Sequence, residues 1–175
     1  MHAEQDSHNT FAYPGFPYPN THPDRLAAMA ILHGLNPAPV EHCRVLEIGC
    51  NEGANLIPMA YAIPSSEFVG FDLARLRIER GQARIGELGL KNVRIFEGDL
   101  LQVGTKLGQF DYIVAHGFYA WVPKPVRERL MALLGGLLTP DGGCFCKLQR
   151  AAGRAFAVDA PRNDDVPREG HRGTA

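Results

Sequence analysis

Composition and charge exclude several classes of protein. The chain has 175 residues, of which 45% are hydrophobic and 21% charged, and its net charge is -1. These values are typical of one globular domain with a substantial core, and they do not indicate a nucleic-acid partner. No apolar run is long enough to span a membrane, and the polar N-terminus does not resemble a secretory signal. The four cysteines fit no zinc pattern, so we expect reduced core cysteines, no metal site and a cytoplasmic location.

The N-terminal segment, residues 1–20, predicts an arm that precedes the folded domain. Residues 11–20 read FAYPGFPYPN, and repeated prolines exclude a helix or a central strand. Disordered segments seldom carry so many aromatic residues, so we expect an ordered arm or lid. A helix is predicted to start at Thr21–Asp24, where proline and an acid occupy the first turn, and to end at Gly34.

From Cys43 onwards, apolar strand-like runs alternate with helical segments. The predicted strands cover residues 44–48, 67–72, 93–96, 112–115 and 144–146. The predicted helices cover residues 54–62 and 73–88 and an apolar stripe from Val126 to Leu137, and a turn is predicted at residues 139–143. This alternation predicts an α/β fold with a doubly wound parallel sheet that is covered on both faces.

Distinctive residues follow four of the predicted strands. They are the EIGCNEG run at residues 47–53, then Asp72, Asp99 and His116. In parallel sheets, ligands bind at the carboxyl ends of the strands, close to the switch in strand order. Asp72 suits a ribose diol because a carboxylate accepts two hydroxyl hydrogen bonds, although acids here also cap turns. The coincidence of all four strand ends favours a ligand site.

The first turn discriminates among possible cofactors. A dinucleotide site requires G-x-G-x-x-G, but Asn51 and Ala54 stand at its second and third glycine positions, and the lysine of a P-loop is absent. S-adenosylmethionine has no phosphate. It needs a turn against its amino-acid part, an acid for its ribose and a second polar residue beside its adenine. Gly49, Asp72 and Asp99 meet these needs in order along the chain. Asn51 tolerates the left-handed backbone conformation better than most residues. A nicotinamide-dependent oxidoreductase remains an alternative.

Four motifs, VLEIGCNEGANLIPMA, FVGFDLA, VRIFEGDL and FDYIVAHGFYAWVP, resemble the successive motifs of class I S-adenosylmethionine-dependent methyltransferases. Together with YPGFPYPNTHPDRLA ahead of them, they are similar to a bacterial subgroup whose longer members carry a methyltransferase regulatory domain. The resemblance covers residues 11–146. It implies a Rossmann-like sheet of five strands in the order 3-2-1-4-5, in a domain that spans residues 21–146.

The resemblance also implies roles for individual residues. Glu47, Gly49 and Gly53 would border the methionine part of the cofactor, and Asp72 would bind the ribose hydroxyls. Leu73, Asp99 and Leu100 would lie around the adenine, and His116 would lie close to the sulfonium. The implied cofactor-binding residues are Glu47, Gly49, Cys50, Asn51, Gly53, Asp72, Leu73, Asp99, Leu100 and His116. Asn51 departs from the glycine that is usual at its position.

The acceptor side carries fewer signals. His116 is a candidate general base because its ordinary pKa is close to neutrality, with a positioning role as the alternative. Tyr119 and Trp121 are candidates for an acceptor pocket, and ordinary packing under the next helix is the alternative. The Asn/Asp-Pro-Pro-aromatic signature of amine and base methyltransferases is absent after the fourth strand, so the acceptor stays unspecified. The oligomeric state is equally open.

Residues 147–175 are rich in Arg, Asp, Gly and Pro and show no strand alternation. We expect an irregular, disordered tail. Complete folds of this class have two more strands, so we interpret the domain as truncated, and a shifted reading frame is one hypothesis for the tail. A catalytically inactive cofactor-binding remnant or a regulatory module is therefore the second functional hypothesis.

Overall fold

A five-stranded parallel sheet runs through residues 15–147, the part of the chain that this computed structural model describes. The strands are β1 (Arg44–Ile48), β2 (Glu67–Asp72), β3 (Val93–Glu97), β4 (Phe110–Ala115) and β5 (Leu138–Cys146). The helices are α1 (Pro23–Leu32), α2 (Leu56–Ala62), α3 (Arg75–Glu87) and α4 (Lys124–Leu137), and short 3₁₀ turns cover Pro19–Thr21, Val40–His42 and Thr105–Leu107.

The strand order is β3-β2-β1-β4-β5, and every neighbouring pair is parallel. The predicted doubly wound sheet and its order are confirmed. Strand β1 pairs with β2 on one side and with β4 on the other, so the direction of winding reverses at β1. Chain segments that leave β1 and β4 therefore diverge, and the crevice between them opens at the carboxyl ends of these strands.

Alternating side chains of the strands build two cores, one on each face of the sheet. In β1, Val45 joins the cluster that contains residues of α1, α2 and α3, whereas Leu46 and Ile48 join the cluster that contains the apolar face of α4. Both faces are therefore buried, which explains why the strands read as nearly continuous apolar runs.

Two helices begin later than their sequences predict, because turn contacts occupy their first residues. Helix α2 begins at Leu56 rather than at residue 54. Gly53 still belongs to the turn after β1, where its N–H donates to the Cys50 carbonyl at 2.9 Å. Helix α3 begins at Arg75 rather than at residue 73, since Asp72 Oδ1 accepts a bond from the Ala74 N–H at 2.9 Å.

The prediction that a turn at residues 139–143 separates the last helix from the last strand is wrong, because these residues lie inside β5. Leu138 pairs with Phe110 and Gly143 pairs with Tyr112, so the residues between Leu138 and Gly143 bulge opposite Asp111. Thr139 Oγ1 donates a hydrogen bond to Asp111 Oδ1 at 3.3 Å, which fastens the bulge to β4. Turn-forming residues are thus accommodated as an irregularity in a strand.

The arm segment, defined as residues 15–22, packs against the start of α2, as the hydrogen bonds described below show. Residues 1–14 of the predicted arm lie outside the described residues. So does the predicted tail beyond Lys147, together with the expectations of truncation and of a shifted frame. No helix within residues 15–147 is long and apolar enough to cross a membrane.

Candidate functional site

The turn after β1 depends on left-handed backbone at three positions. Gly49, Asn51 and Gly53 have φ values of 74°, 52° and 73°. The N–H groups of Gly49 and Cys50 both donate to the carbonyl of Phe71 at the end of β2, at 2.9 and 3.1 Å. These bonds hold the turn against the neighbouring strand, and Asn51 adopts the conformation that the sequence suggested it would tolerate.

Glu47 contributes a buried carboxyl group beneath this turn. Its side chain is only 4% exposed. Oε1 accepts a hydrogen bond from Asn55 Nδ2 at 2.9 Å, whereas Oε2 has no hydrogen-bond partner among the described residues. Burial raises the pKa of Glu47 from 4.5 to about 8, the bond from Asn55 opposes this rise, and the nearby charge of Asp72 adds to it. The carboxyl therefore has one donor, Asn55, and no cationic partner among the described residues to stabilise its ionised form.

Asp72 joins the turns that follow β1 and β2. Its Oδ2 accepts from the N–H of Asn51 at 2.8 Å, and its Oδ1 accepts from the N–H of Ala74 at 2.9 Å. Each carboxylate oxygen can accept a second bond, so these contacts leave acceptor capacity for two hydroxyl groups. Leu73, the next residue, is 37% exposed and presents an apolar surface at the same edge.

Three of the predicted cofactor residues have structural contacts of their own. Asp99 Oδ1 accepts from the N–H of Leu101 at 2.9 Å and so caps the turn after β3. The Leu100 side chain is 3% exposed within the core cluster that includes α4. The Cys50 side chain is buried in the opposite core cluster, so its backbone is the part that lines the turn. The roles that the resemblance implies for these residues stay predictions.

His116, directly after β4, is held between two aromatic rings. The Tyr18 ring of the arm segment stacks on it with centroids 3.7 Å apart, and the Phe145 ring of β5 lies 5.9 Å away. Burial lowers the pKa of His116 below 6.5, and the charge of Lys147 adds to this effect. Both effects favour the uncharged imidazole.

The acceptor-pocket candidates lie in the turn between β4 and α4. The guanidinium of Arg127 is 5.6 Å from the centroid of the Tyr119 ring, and Tyr119 is half-buried. Trp121 is 73% exposed. Tyr119 thus packs partly against other side chains, whereas Trp121 lies on the surface. A role of either residue in an acceptor pocket stays a prediction.

A buried asparagine joins this site although sequence reasoning did not select it. Asn55 is 5% exposed and contacts both Glu47 and the arm segment. The sequence gives only a weak indication of this role, because Asn55 is simply a polar residue among the apolar residues at the start of a helix. Tyr18 was also missed as a site residue, although the aromatic content of the arm indicated packing.

No group of three or more His, Cys, Asp or Glu side chains within residues 15–147 is arranged to hold a metal ion.

Comparisons with known proteins agree with this geometry. A family model described as a methyltransferase domain matches residues 45–142. The protein RP028 of Rickettsia prowazekii is 40% identical over 139 residues, which are 79% of this chain and 56% of that protein. The tRNA (guanine-N(7)-)-methyltransferase of Rhizobium johnstonii is 39% identical over 123 residues, covering 66% of this chain and 52% of that enzyme.

A solved structure supports the same relationship. PKMT2 from Rickettsia typhi in complex with AdoHcy matches with a TM-score of 0.73 and 38% identity, over 76% of this chain and 26% of that chain. The chain therefore spans about half the length of the two relatives and about a quarter of PKMT2.

Proposed function

Because this chain belongs to the class I S-adenosylmethionine-dependent methyltransferases, we propose that it binds S-adenosylmethionine at the carboxyl ends of β1 and β2 and transfers the methyl group to an acceptor. Family membership decides against the nicotinamide-dependent oxidoreductase that the sequence left open. The acceptors named for relatives range from a tRNA guanine to trans-aconitate, so the fold alone does not specify the acceptor of this chain.

The observation that carries the proposal is Oε2 of buried Glu47, which has no partner within residues 15–147. A buried polar atom without a partner is costly, and a bound ligand is one feature that accounts for such an atom. The amino-acid part of S-adenosylmethionine carries an ammonium group, which supplies both a positive charge and hydrogen-bond donors. Glu47 fits this group, and Asp72 with Leu73 fits the ribose hydroxyls and the adenine.

When bound, S-adenosylmethionine supplies a methyl group that is activated by a sulfonium. The work left to the protein is to align the acceptor and to exclude water. We propose that His116 accepts a proton from the acceptor, since its imidazole is half-buried and its burial lowers its pKa, which favours the uncharged form. His116→Gln should then lower kcat and remove the corresponding acidic limb of the pH profile. Unchanged kcat and an unchanged profile would leave His116 only a positioning role.

We also propose a cytoplasmic location. The four cysteines are free thiols, and unpaired cysteines are typical of proteins that stay in a reducing compartment.

Calorimetric titration of the full chain with S-adenosylmethionine, AdoHcy and NAD tests cofactor binding. We expect the first two to bind, NAD not to bind, and Asp72→Ala to abolish binding because it removes both acceptor oxygens. Absence of S-adenosylmethionine binding to a folded chain would refute the proposal.

Transfer of a tritiated methyl group to fractionated cellular protein, nucleic acid and small molecules then identifies the acceptor class. Cofactor binding without transfer to any fraction would favour the alternative of a cofactor-binding remnant or regulatory module.

A further inference from the structure

The arm segment is tied to the cofactor side of the sheet through the amide of Asn55. The backbone N–H of Tyr18 donates to Asn55 Oδ1 at 2.7 Å. Asn55 Nδ2 donates to Thr21 Oγ1 at 3.0 Å and to Glu47 Oε1 at 2.9 Å. The Thr21 hydroxyl in turn donates to the Tyr18 carbonyl at 2.8 Å. Thr21, Asn55 and Glu47 are all buried and Tyr18 is half-buried, so most of this network lies inside the protein.

Counting donors and acceptors shows that the network fixes the orientation of the Asn55 amide. The side chain has two N–H donors and one carbonyl acceptor. The two donors are used by Glu47 and Thr21, and the acceptor is used by the arm segment. A flipped amide would place its NH₂ group against the N–H of Tyr18 and its oxygen against Glu47. The docked arm segment therefore selects the orientation in which Asn55 donates to Glu47.

This orientation favours one charge state of Glu47. An N–H donor stabilises a carboxylate, whereas a carbonyl oxygen in its place would favour the protonated acid. The ionised carboxylate, in turn, is the form that binds an ammonium group. In the free protein burial outweighs the bond from Asn55 and raises the pKa of Glu47 to about 8. A cation at Oε2 would favour ionisation, and the donor that the docked arm segment holds in place would then stabilise the carboxylate. The cationic ligand should in turn favour docking to the same extent, as linkage requires.

A second anchor holds the arm segment across the crevice. The Tyr18 ring stacks on His116, which follows β4, while the Tyr18 backbone binds Asn55, which precedes α2. Gly15 also lies against Ala54, because a Cβ at Gly15 would be 2.7 Å from the Ala54 Cβ. The arm segment therefore bridges the chain segments that leave β1 and β4, the two strands beside the crevice.

We propose that Asn55 is a positioning residue that couples docking of the arm segment to binding of the cofactor, by keeping an N–H donor on Glu47 that stabilises its carboxylate once a cation is bound. This inference rests on the proposed function, because it names how the chain prepares the same site. Asn55 acts through Glu47 and the arm segment.

The test combines calorimetry with hydrogen–deuterium exchange of the arm segment in the full chain, with and without S-adenosylmethionine. For the wild type we expect slower exchange of the arm segment when the cofactor is present. For Asn55→Ala we expect cofactor affinity to fall about tenfold or more, as for a lost hydrogen bond to a charged group. Protection of the arm segment by the cofactor should also be lost.

Asn92 offers a matched control for general destabilisation. Its side chain donates to the carbonyls of Ala60, Ile63 and Ser66 at 2.9, 3.2 and 3.0 Å, at the opposite end of the sheet. Asn92→Ala should lower Tm but leave cofactor affinity and the exchange of the arm segment unchanged. An affinity loss for Asn55→Ala no greater than that for Asn92→Ala would overturn the inference.

Two further results keep the inference separate from the proposed function. If Asn55→Ala does not fold, Thr21→Val removes the hydroxyl of the network at similar volume and should weaken both cofactor binding and docking. Unchanged binding and exchange in Thr21→Val would overturn the coupling. A folded wild type that fails to bind S-adenosylmethionine would refute the proposed function itself, whereas binding that is insensitive to Asn55 would refute only the coupling.

Discussion

Replacing Glu47 by glutamine should alter the pH dependence of stability in a defined direction. Glutamine matches the shape of glutamate and keeps the oxygen that accepts from Asn55 Nδ2. The pKa of Glu47 is raised to about 8 in the folded protein, from 4.5. Between these values the native state retains a proton that the unfolded state releases, so this group makes stability fall as pH rises through that window, and the fall levels off above about pH 8.

The size of the effect follows from the same shift. Each pH unit within the window costs roughly 1.4 kcal/mol, so the wild type should lose roughly 3 kcal/mol between pH 5 and pH 7 from this group. Glu47→Gln has no such titration. All other titratable groups are shared, so the difference between the two proteins isolates Glu47.

Urea unfolding of both proteins at several pH values between about 5 and 8 provides the measurement. We expect the free energy of unfolding of the variant, relative to the wild type, to increase steadily with pH. The glutamine NH₂ group is buried without a partner, which lowers the stability of the variant by a constant amount and leaves the slope unchanged. Parallel pH curves for the two proteins would show that Glu47 is ionised in the free protein, and the reasoning would fail.

Three other substitutions or treatments test separate features. Gly81→Ala should lower the free energy of unfolding by about 1–3 kcal/mol, because its Cβ would lie 2.5 Å from the Glu52 carbonyl oxygen. Gly86→Ala should be neutral or stabilising, because its Cβ would meet no described residue outside its own helix within 4 Å. Asn51→Ala should be less stable than Asn51→Gly by about 1 kcal/mol in urea unfolding, since φ is 52° at this position. Burial raises the pKa of Cys43 to about 11, so native alkylation near pH 8 should be far slower than alkylation in denaturant, and equal rates would contradict this burial.

Local patterns in the sequence determined the secondary structure close to the crevice. The predicted first strand, Arg44–Ile48, has the same bounds in the structure. Apolar runs of this length between turn residues indicate buried strands, and the helical period marks the segments between them. The ordered polar residues at the strand ends, from Glu47 to His116, indicated a ligand site because parallel strands bring their carboxyl ends to one edge.

These local patterns did not predict contacts between distant segments of the chain. The bond from Tyr18 to Asn55 joins residues 37 positions apart, and Asn55 by itself is only a polar residue in an apolar run. Local patterns also missed the bulge at residues 139–142. Turn-forming residues predict the end of an element, and only the structure shows that β5 pairs with β4 on both sides of them.

The sequence by itself therefore determined the order of strands and helices along the chain, the first turn with an Asn51 that tolerates left-handed backbone, and the family of the chain. Only the tertiary structure decided which polar groups are buried and which lack partners. The charge state of Glu47 depends on its burial, on Asn55 and on Asp72, and these neighbours come together only when the sheet has formed. Period and propensity are local properties, whereas desolvation and hydrogen-bond satisfaction belong to the packed molecule.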